Sequence, residues 1–308
     1  MNILFCATVD IHIRSFHLPL INDLKKDGNS IDLVSNGNDE FEDISNKFNI
    51  PFSRNPLSFS NILAYFEIKK ILKENSYDVI STHTPIASFI IRLAAKKFKL
   101  RNNGKVVLIN GVGLANQKYK ISIDKSRKRH ELGLLDTDFI MLSVGELSKR
   151  KNHMFVLECV KDKLQSNKNM KYVICGTGPL ENELKQYIDN NDLKDNVVLL
   201  GYRNDIQEIM LSADIFIFPS IQEGLTVSVI EAMIAGLPIL ASNIRGNNDL
   251  VVSNENGYLF ELDNKESFLH KFDMILKSNL DDISKNNILK SKIYSYEMLK
   301  NSFLDIYR

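Results

Sequence analysis

The sequence predicts an α/β protein built from two doubly wound parallel-sheet domains. Three observations carry that reading. The 308 residues correspond to about two domains at roughly 150 residues each. Short apolar runs alternate with longer amphipathic stretches, the signature of βαβ units. A polar segment at residues 116–129, rich in Lys, Ser, Asp and Arg and without apolar periodicity, divides the two patterns.

In the first part, apolar runs place strands at residues 2–7, 30–35, 78–82 and 105–109, with amphipathic helices at 15–26, 61–74 and 85–99. In the second part they place strands at 139–144, 171–175, 197–200, 214–218, 238–241 and 257–260. Helical patterns fall between these at 153–164, 180–190, 205–213, 226–235 and 265–277. The predicted domains are residues 1–122 and 123–290, followed by a helix at 291–308 that packs back toward the first domain. The first domain is the smaller in strands, with four against six.

Composition narrows the function. Hydrophobic residues at 44% and charged residues at 25% are ordinary for globular domains. With 39 Lys and Arg against 38 Asp and Glu the net charge is +1, which argues against a dedicated nucleic-acid binder. Cys6, Cys159 and Cys175 sit in apolar runs, too scattered for a disulfide framework or zinc ribbon, and read as core residues in a reducing compartment. The start, MNILFCATVD, lacks the basic region of a signal peptide. The weakly polar stretch 227–242 carries Glu231, Gly236 and Pro238 and falls short of a spanning helix. The expectation is a cytoplasmic protein that at most touches a membrane surface. Two basic clusters, Lys96, Lys97, Lys99, Arg101, Lys105 and Lys125, Arg127, Lys128, Arg129, read either as solvated helix ends or as contacts to anionic lipid.

Chemistry is expected beyond the carboxyl ends of the strands, where ligands bind in open parallel sheets. The second domain has a consistent set of such loops, led by Gly145, by Gly176-Thr177-Gly178, by Gly201-Tyr202-Arg203 and by Glu223-Gly224-Leu225-Thr226. Gly224 lets a backbone approach a ligand closely. Thr226 suits a helix N-cap, leaving N–H groups for a phosphate. Glu231 lies about a turn and a half into that helix, where a carboxylate can accept hydrogen bonds from vicinal hydroxyls such as those of a ribose. Glu223, ahead of the helix, faces whatever the phosphates carry. Taken alone, the pair reads equally as a helix cap plus a surface Glu. Lys151, beyond the first strand of the domain, either neutralises a diphosphate or is merely solvated. Gly176-Thr177-Gly178 is not a full dinucleotide fingerprint, and no acidic residue ends a following strand, so NAD is disfavoured.

At these residues the chain resembles a known family. The motifs SVGELSKRKNH, CGTGPLENEL, LLGYRNDI, FPSIQEGLTVSVIEAM, GLPILAS and ENGYLF, between residues 142 and 260, resemble the C-terminal domain of retaining, nucleotide-sugar-dependent glycosyltransferases of the GT-B fold, group 1 or family 4 type. The seven residues between Glu223 and Glu231 are the hallmark spacing. ATVDIHIRSFHLPL, IPFSRNPLS and VISTHTPIAS resemble the N-terminal domain of the branch that builds capsular and exopolysaccharide repeat units.

The resemblance implies two Rossmann-like domains facing a cleft, with the nucleotide-sugar donor held by the second. Glu231 would hold the ribose and Glu223 the donor sugar. The backbone of Gly224, Leu225 and Thr226, with Lys151, would hold the diphosphate; Gly145 and Gly178 would border it. Gly201, Tyr202 and Arg203 would line the base. Such enzymes retain anomeric configuration by front-face displacement, with the departing diphosphate taking the acceptor proton, so neither a protein nucleophile nor a metal or other cofactor is expected. The acceptor would be lipid-linked or a glycan. On the acceptor side Asp10, His12 and His83 are the candidates, while His17 reads as local packing.

Two departures from the family stand out. Glu146 occupies a position where many relatives carry Arg, which leaves more of the phosphate charge to Lys151. In the first domain, Asn110-Gly111-Val112 follows the strand at 105–109 at once, where relatives carry a His-bearing loop and further elements. The missing portion is roughly sixty residues, about two βαβ-sized units. The sequence therefore allows an active transferase, a remnant that only binds nucleotide-sugar, or one half of a two-chain enzyme completed by a partner subunit.

Overall fold

The computed structural model describes residues 1–42, 44–96, 122–224 and 226–307, with the backbone alone at 105–108. It divides into two compact units, residues 1–117 with 294–308, and residues 118–293.

In the first unit the elements are β1 (Asn2–Val9), α1 (Asp10–Phe16), α2 (Leu18–Lys26), β2 (Ser30–Asn36), β3 (Asn46–Asn49), α3 (Phe59–Glu74), β4 (Val79–Thr82), α4 (Pro85–Ala95) and β5 (Lys105–Leu108). The sheet has five parallel strands in the order β3-β2-β1-β4-β5, one more than the sequence predicts. The extra strand, Asn-Lys-Phe-Asn, is a short sheet edge with no apolar run to announce it. The helix expected at 15–26 is instead two: His17 ends α1, and Pro19 stands in the first turn of α2, where its missing N–H costs nothing.

Successive β1 side chains point to opposite sheet faces and so into two cores. Leu4 and Cys6 join Val34, Ile80 and the inner faces of α3 and α4. Ile3, Phe5 and Ala7 pack with α2 on the other face. There the last helix of the chain, α13 (Tyr296–Tyr307), joins them through Tyr296, Leu304 and Tyr307. The Tyr296 hydroxyl donates to Asp23 at 2.8 Å, the Lys300 ammonium is 2.8 Å from the same carboxylate, and the Tyr307 and Ser81 hydroxyls are 2.6 Å apart.

The second unit runs α5 (Lys125–Glu131), β6 (Phe139–Val144), α6 (His153–Ser166), β7 (Met170–Cys175), α7 (Glu181–Asn190), β8 (Val197–Gly201), α8 (Ile206–Ser212), β9 (Ile215–Phe218), α9 (Val227–Ile234), β10 (Ile239–Ser242), α10 (Arg245–Asn248), β11 (Gly257–Phe260), α11 (Lys265–Lys277) and α12 (Leu280–Ser291). Its six-stranded parallel sheet has the order β11-β10-β9-β6-β7-β8. All six strands of the sequence reading are present, within about a residue at each end. Both units are doubly wound and Rossmann-like.

The segment read as a polar linker runs into α5, and two of its cations are not solvated. Arg129 is 4% exposed. Its guanidinium donates twice to Asp214, at 2.8 Å each, and to the carbonyls of Ser212, Asp136 and Asp138 at 2.9 Å. Lys128 reaches Glu131, Asp205 and Glu208 at 2.9, 3.1 and 2.9 Å. These two cations of the second basic cluster are therefore structural, and lipid contact is ruled out for them. In the first cluster Lys97, Lys99 and Arg101, like the Lys105 side chain, lie outside the described residues.

Candidate functional site

The second sheet reverses its strand order between β6 and β9, and the loops leaving their carboxyl ends diverge there into a crevice. Those loops hold residues 145–152 and 219–226. They are tied together where the Ile221 amide donates to the Arg150 carbonyl at 2.8 Å. The β7 loop braces the first of them: Gly176, at φ +145°, packs on the Gly145 carbonyl, and Gly178 packs on the backbone of Leu147, so a methyl group at either would collide. Gly178 thus has a packing role in this fold. A methyl group on Gly145 would sit 3.1 Å from Cδ of Lys151, so glycine there leaves room for the lysine stem.

Lys151 ends a short 3-10 turn, Lys149–Lys151, from which Asn152 turns left-handed at φ 58° into α6. Its side chain is only 13% exposed and its ammonium lies 4.6 Å over the Phe218 ring. It stands 2.8 Å from Oε1 of Glu223, whose side chain is 14% exposed. Arg150 donates through Nη1 to that same oxygen and to the Gln222 carbonyl at 3.3 Å. Two cations thus converge on one carboxylate at the mouth of the crevice. The sequence reading named Lys151 and missed Arg150; the signal was the run Lys149-Arg150-Lys151 immediately after a strand end.

Beyond Glu223 the backbone is open at Gly224, where an added methyl group would meet nothing within 4 Å. Leu225 lies outside the described residues. Thr226 occupies the N-cap position of α9, but its hydroxyl donates to Asn247 at 3.3 Å and caps nothing. The first N–H groups of α9 consequently have no side-chain cap, which is the condition for holding an anion. Glu231 is half-buried on α9. Gly246, at the start of α10, packs on the carbonyls of Glu223 and Gly224 and fixes that loop from behind.

At the β8 end, Gly201 takes φ +66° and its carbonyl accepts from the Gly176 amide at 2.8 Å. Tyr202 is 75% exposed. Arg203 is held by Asp205, with nitrogen–oxygen distances of 2.8 and 2.6 Å, and this pair, with Lys128, keeps the Asp205 carboxyl down at about 2.

The first sheet reverses between β1 and β4, and the remaining sequence candidates lie there. Asp10 is 3% exposed; it accepts from the Ser35 hydroxyl at 2.5 Å and the Asp39 amide at 2.9 Å, and pairs with Lys47 at 2.9 Å. Burial pushes its carboxyl up, but Ser35, Lys47 and the amide together bring it below the ordinary value. His12, His17 and His83 form a stack, with ring centroids 5.0 Å apart for His12 and His17 and 4.1 Å for His17 and His83. His83 lies flat on Phe5 at 4.0 Å, and its Nε2 is 2.8 Å from the Ser81 hydroxyl. Burial drives all three imidazoles down, His17 to about 3. Among the described residues no group of three or more His, Cys, Asp or Glu is arranged to hold a metal ion.

Glycosyl transferases group 1 is the family that matches residues 124–294, more than half the chain. The chain belongs to that family. Its residues 2–114 match the glycosyl transferase 4-like family. Among curated proteins it is 26% identical to the glycosyltransferase-named EpsD of Bacillus subtilis, covering 89% of this chain and 87% of the relative. It is 27% identical to the UDP-Gal:alpha-D-GlcNAc-diphosphoundecaprenol alpha-1,3-galactosyltransferase of Escherichia coli, covering 85% of this chain and 83% of the relative. Since 89% of 308 residues is about 274, about 59 of the 333 positions aligned with EpsD fall opposite no residue of this chain. Solved structures share the fold. A sucrose-phosphate synthase of Thermosynechococcus elongatus aligns over 100% of this chain and 98% of its own, with a TM-score of 0.82 at 15% identity. HepE of Anabaena, in complex with UDP and glucose, aligns over 100% and 99% with a TM-score of 0.74 at 19% identity. The chain is a group 1 glycosyltransferase with the GT-B fold.

Proposed function

We propose that this glycosyltransferase moves a sugar, with retention at the anomeric carbon, from a nucleotide-diphosphate donor of the UDP type to a lipid-linked or polysaccharide acceptor in the synthesis of a cell-surface glycan. The observation that carries the proposal is the convergence of Lys151 and Arg150 on Glu223, beside the uncapped start of α9. Two cations and free N–H groups form a receptor for a diphosphate, and a carboxylate among them is placed to accept from sugar hydroxyls. When donor binds, the phosphate oxygens take over the cations and Glu223 turns to the sugar. Glu231 holds the ribose and exposed Tyr202 meets the base.

In the reaction the bond from C1 to the phosphate oxygen breaks and the acceptor oxygen bonds C1 on the same face. The acceptor proton passes to the departing diphosphate. Lys151, Arg150 and the amides of α9 stabilise the charge that develops there, so catalysis is positioning plus electrostatics. No metal is proposed. A lipid-linked acceptor would bring the enzyme to the cytoplasmic face of a membrane as a peripheral protein.

Release of UDP from a panel of UDP-sugars, with membrane extract as acceptor source, tests the reading. UDP binding without turnover would overturn it. That outcome would favour the second reading, a nucleotide-sugar-binding remnant or one half of a two-chain transferase. The observation behind this alternative is the roughly sixty family positions that the chain lacks.

A further inference from the structure

We infer that the outer face of α3 and α4, in the first unit, docks on an anionic lipid bilayer. This deepens the reading of a lipid-linked acceptor and rests on it. Helix α3 is apolar on both sides: Ala64, Ile68, Ile71 and Leu72 are buried against the sheet, while Phe59, Ile62, Leu63 and Phe66 are 84%, 53%, 59% and 61% exposed. A surface helix ordinarily turns polar residues outward. The spacing of the four exposed residues sets them in one stripe. Leu57, 91% exposed, extends the stripe at its amino end, and Phe89 and Leu93 continue it across α4. Between the two helices runs an apolar groove of about 470 Å³, lined by Leu57, Ile62, Tyr65, Phe89 and Leu93 among others.

Charge identifies the occupant. Exposed cations surround the apolar stripe: Arg54 before α3, Lys70 and Lys73 at its end, and Arg92 and Lys96 at the end of α4, with half-exposed Lys69 over the Tyr65 ring. The acidic residues of these two helices are Glu67 and Glu74, and Glu74 is only 4.0 Å from Lys70. Apolar and aromatic side chains ringed by Lys and Arg match a bilayer with anionic headgroups. Pairing of this face with a second copy would set cation against cation. No helix among the described residues is long and apolar enough to cross a membrane, so the contact is peripheral.

The full chain contains no tryptophan, so Phe66→Trp gives a single fluorescent reporter on the face. Its emission should shift to the blue with vesicles of phosphatidylglycerol and phosphatidylcholine, much less with phosphatidylcholine alone, and the shift should fade with salt. In flotation with the same vesicles, Phe59→Glu/Phe66→Glu should cut binding at least about tenfold while UDP affinity and thermal midpoint stay unchanged. Lys69→Glu/Lys70→Glu, a milder change, should reduce binding to the anionic vesicles alone. Absence of flotation, flotation indifferent to these substitutions, or a solution dimer dissolved by Phe59→Glu/Phe66→Glu would overturn the inference. Sugar transfer to a detergent-solubilised acceptor without flotation would remove the docking surface and keep the function; flotation without transfer would support docking and remove the function.

Discussion

The Lys151 ammonium lies 2.8 Å from the Glu223 carboxylate, on the same oxygen that Arg150 contacts. Without donor, the carboxylate occupies the cations that a diphosphate would claim. Lys151→Ala should therefore lower kcat/KM by about a hundredfold or more, the scale of losing one preorganised charge at a transition state. Glu223→Gln should lower turnover while UDP alone binds as well as before or more tightly, because both cations are released. Calorimetry with UDP beside a UDP-release assay separates the two effects. Weaker UDP binding by Glu223→Gln would contradict this arrangement.

In the proposed complex Glu231 meets a different part of the donor. Glu231→Ala should weaken UDP binding by about 1–3 kcal/mol, the worth of hydrogen bonds to a charged group. The 2′,3′-dideoxy analogue of UDP should bind wild type and variant alike, because it lacks the hydroxyls the carboxylate would hold. Unequal binding of that analogue, measured by calorimetry, would refute the ribose role.

Gly246 supports the Glu223 loop without facing the crevice. Gly246→Ala would drive a methyl group into the carbonyls of Glu223 and Gly224. The expected loss is about 1–3 kcal/mol of stability, as for overpacking, together with a larger fall in turnover than in UDP affinity. Denaturant melts and steady-state rates read both.

Arg129, itself buried, anchors α5 to Asp214 just ahead of β9. Arg129→Leu would leave Asp214 with Lys125 as its remaining cation and take from the carbonyls of Ser212, Asp136 and Asp138 the donor that Arg129 supplies, and should cost about 1–3 kcal/mol in chemical denaturation. A cost below about 1 kcal/mol would return the residue to the class of solvated surface charges.

Buried neutral imidazoles make the fold acid-sensitive. Burial, with Lys151 adding to it, lowers His153 to about 4; burial, with His12 adding to it, lowers His17 to about 3. The unfolded chain binds protons at these sites from the ordinary value of 6.5 downward, while the folded chain does not. Stability is thus intact above pH 6.5 and falls as pH drops toward 4, by about 1.4 kcal/mol per pH unit for each imidazole. The Asp205 carboxyl acts only below its ordinary 3.8, so melts between pH 6.5 and 5 isolate the histidines. His153→Leu should flatten the slope in that window; an unchanged slope would assign it elsewhere.

The second unit was legible because its strands are apolar runs and its loops begin with glycines that the strand-to-helix turns require. Position after strand ends singles out Lys151, Glu223 and Glu231 but leaves each open to a solvated or capping role; the roles assigned to them come from the family resemblance. Elements without an apolar signal were not legible. The edge strand Asn46–Asn49 is mostly polar, and α5 buries cations against carboxylates 77 to 85 residues away in sequence. The stack of His12, His17 and His83 joins α1 and its end to the loop after β4 across about seventy residues, so no local pattern could announce it. The missing portion of the first domain was read from the immediate succession of residues 105–109 and Asn110-Gly111-Val112. The alignment with EpsD leaves about 59 of its 333 positions opposite no residue of this chain.

The most direct measurement is UDP released from UDP-sugars by wild type and by Glu223→Gln, with a lipid-linked acceptor present and UDP affinity determined for both. The account predicts turnover by wild type, its loss in the variant, and UDP affinity kept in each. UDP binding by wild type with no turnover on any UDP-sugar would contradict it.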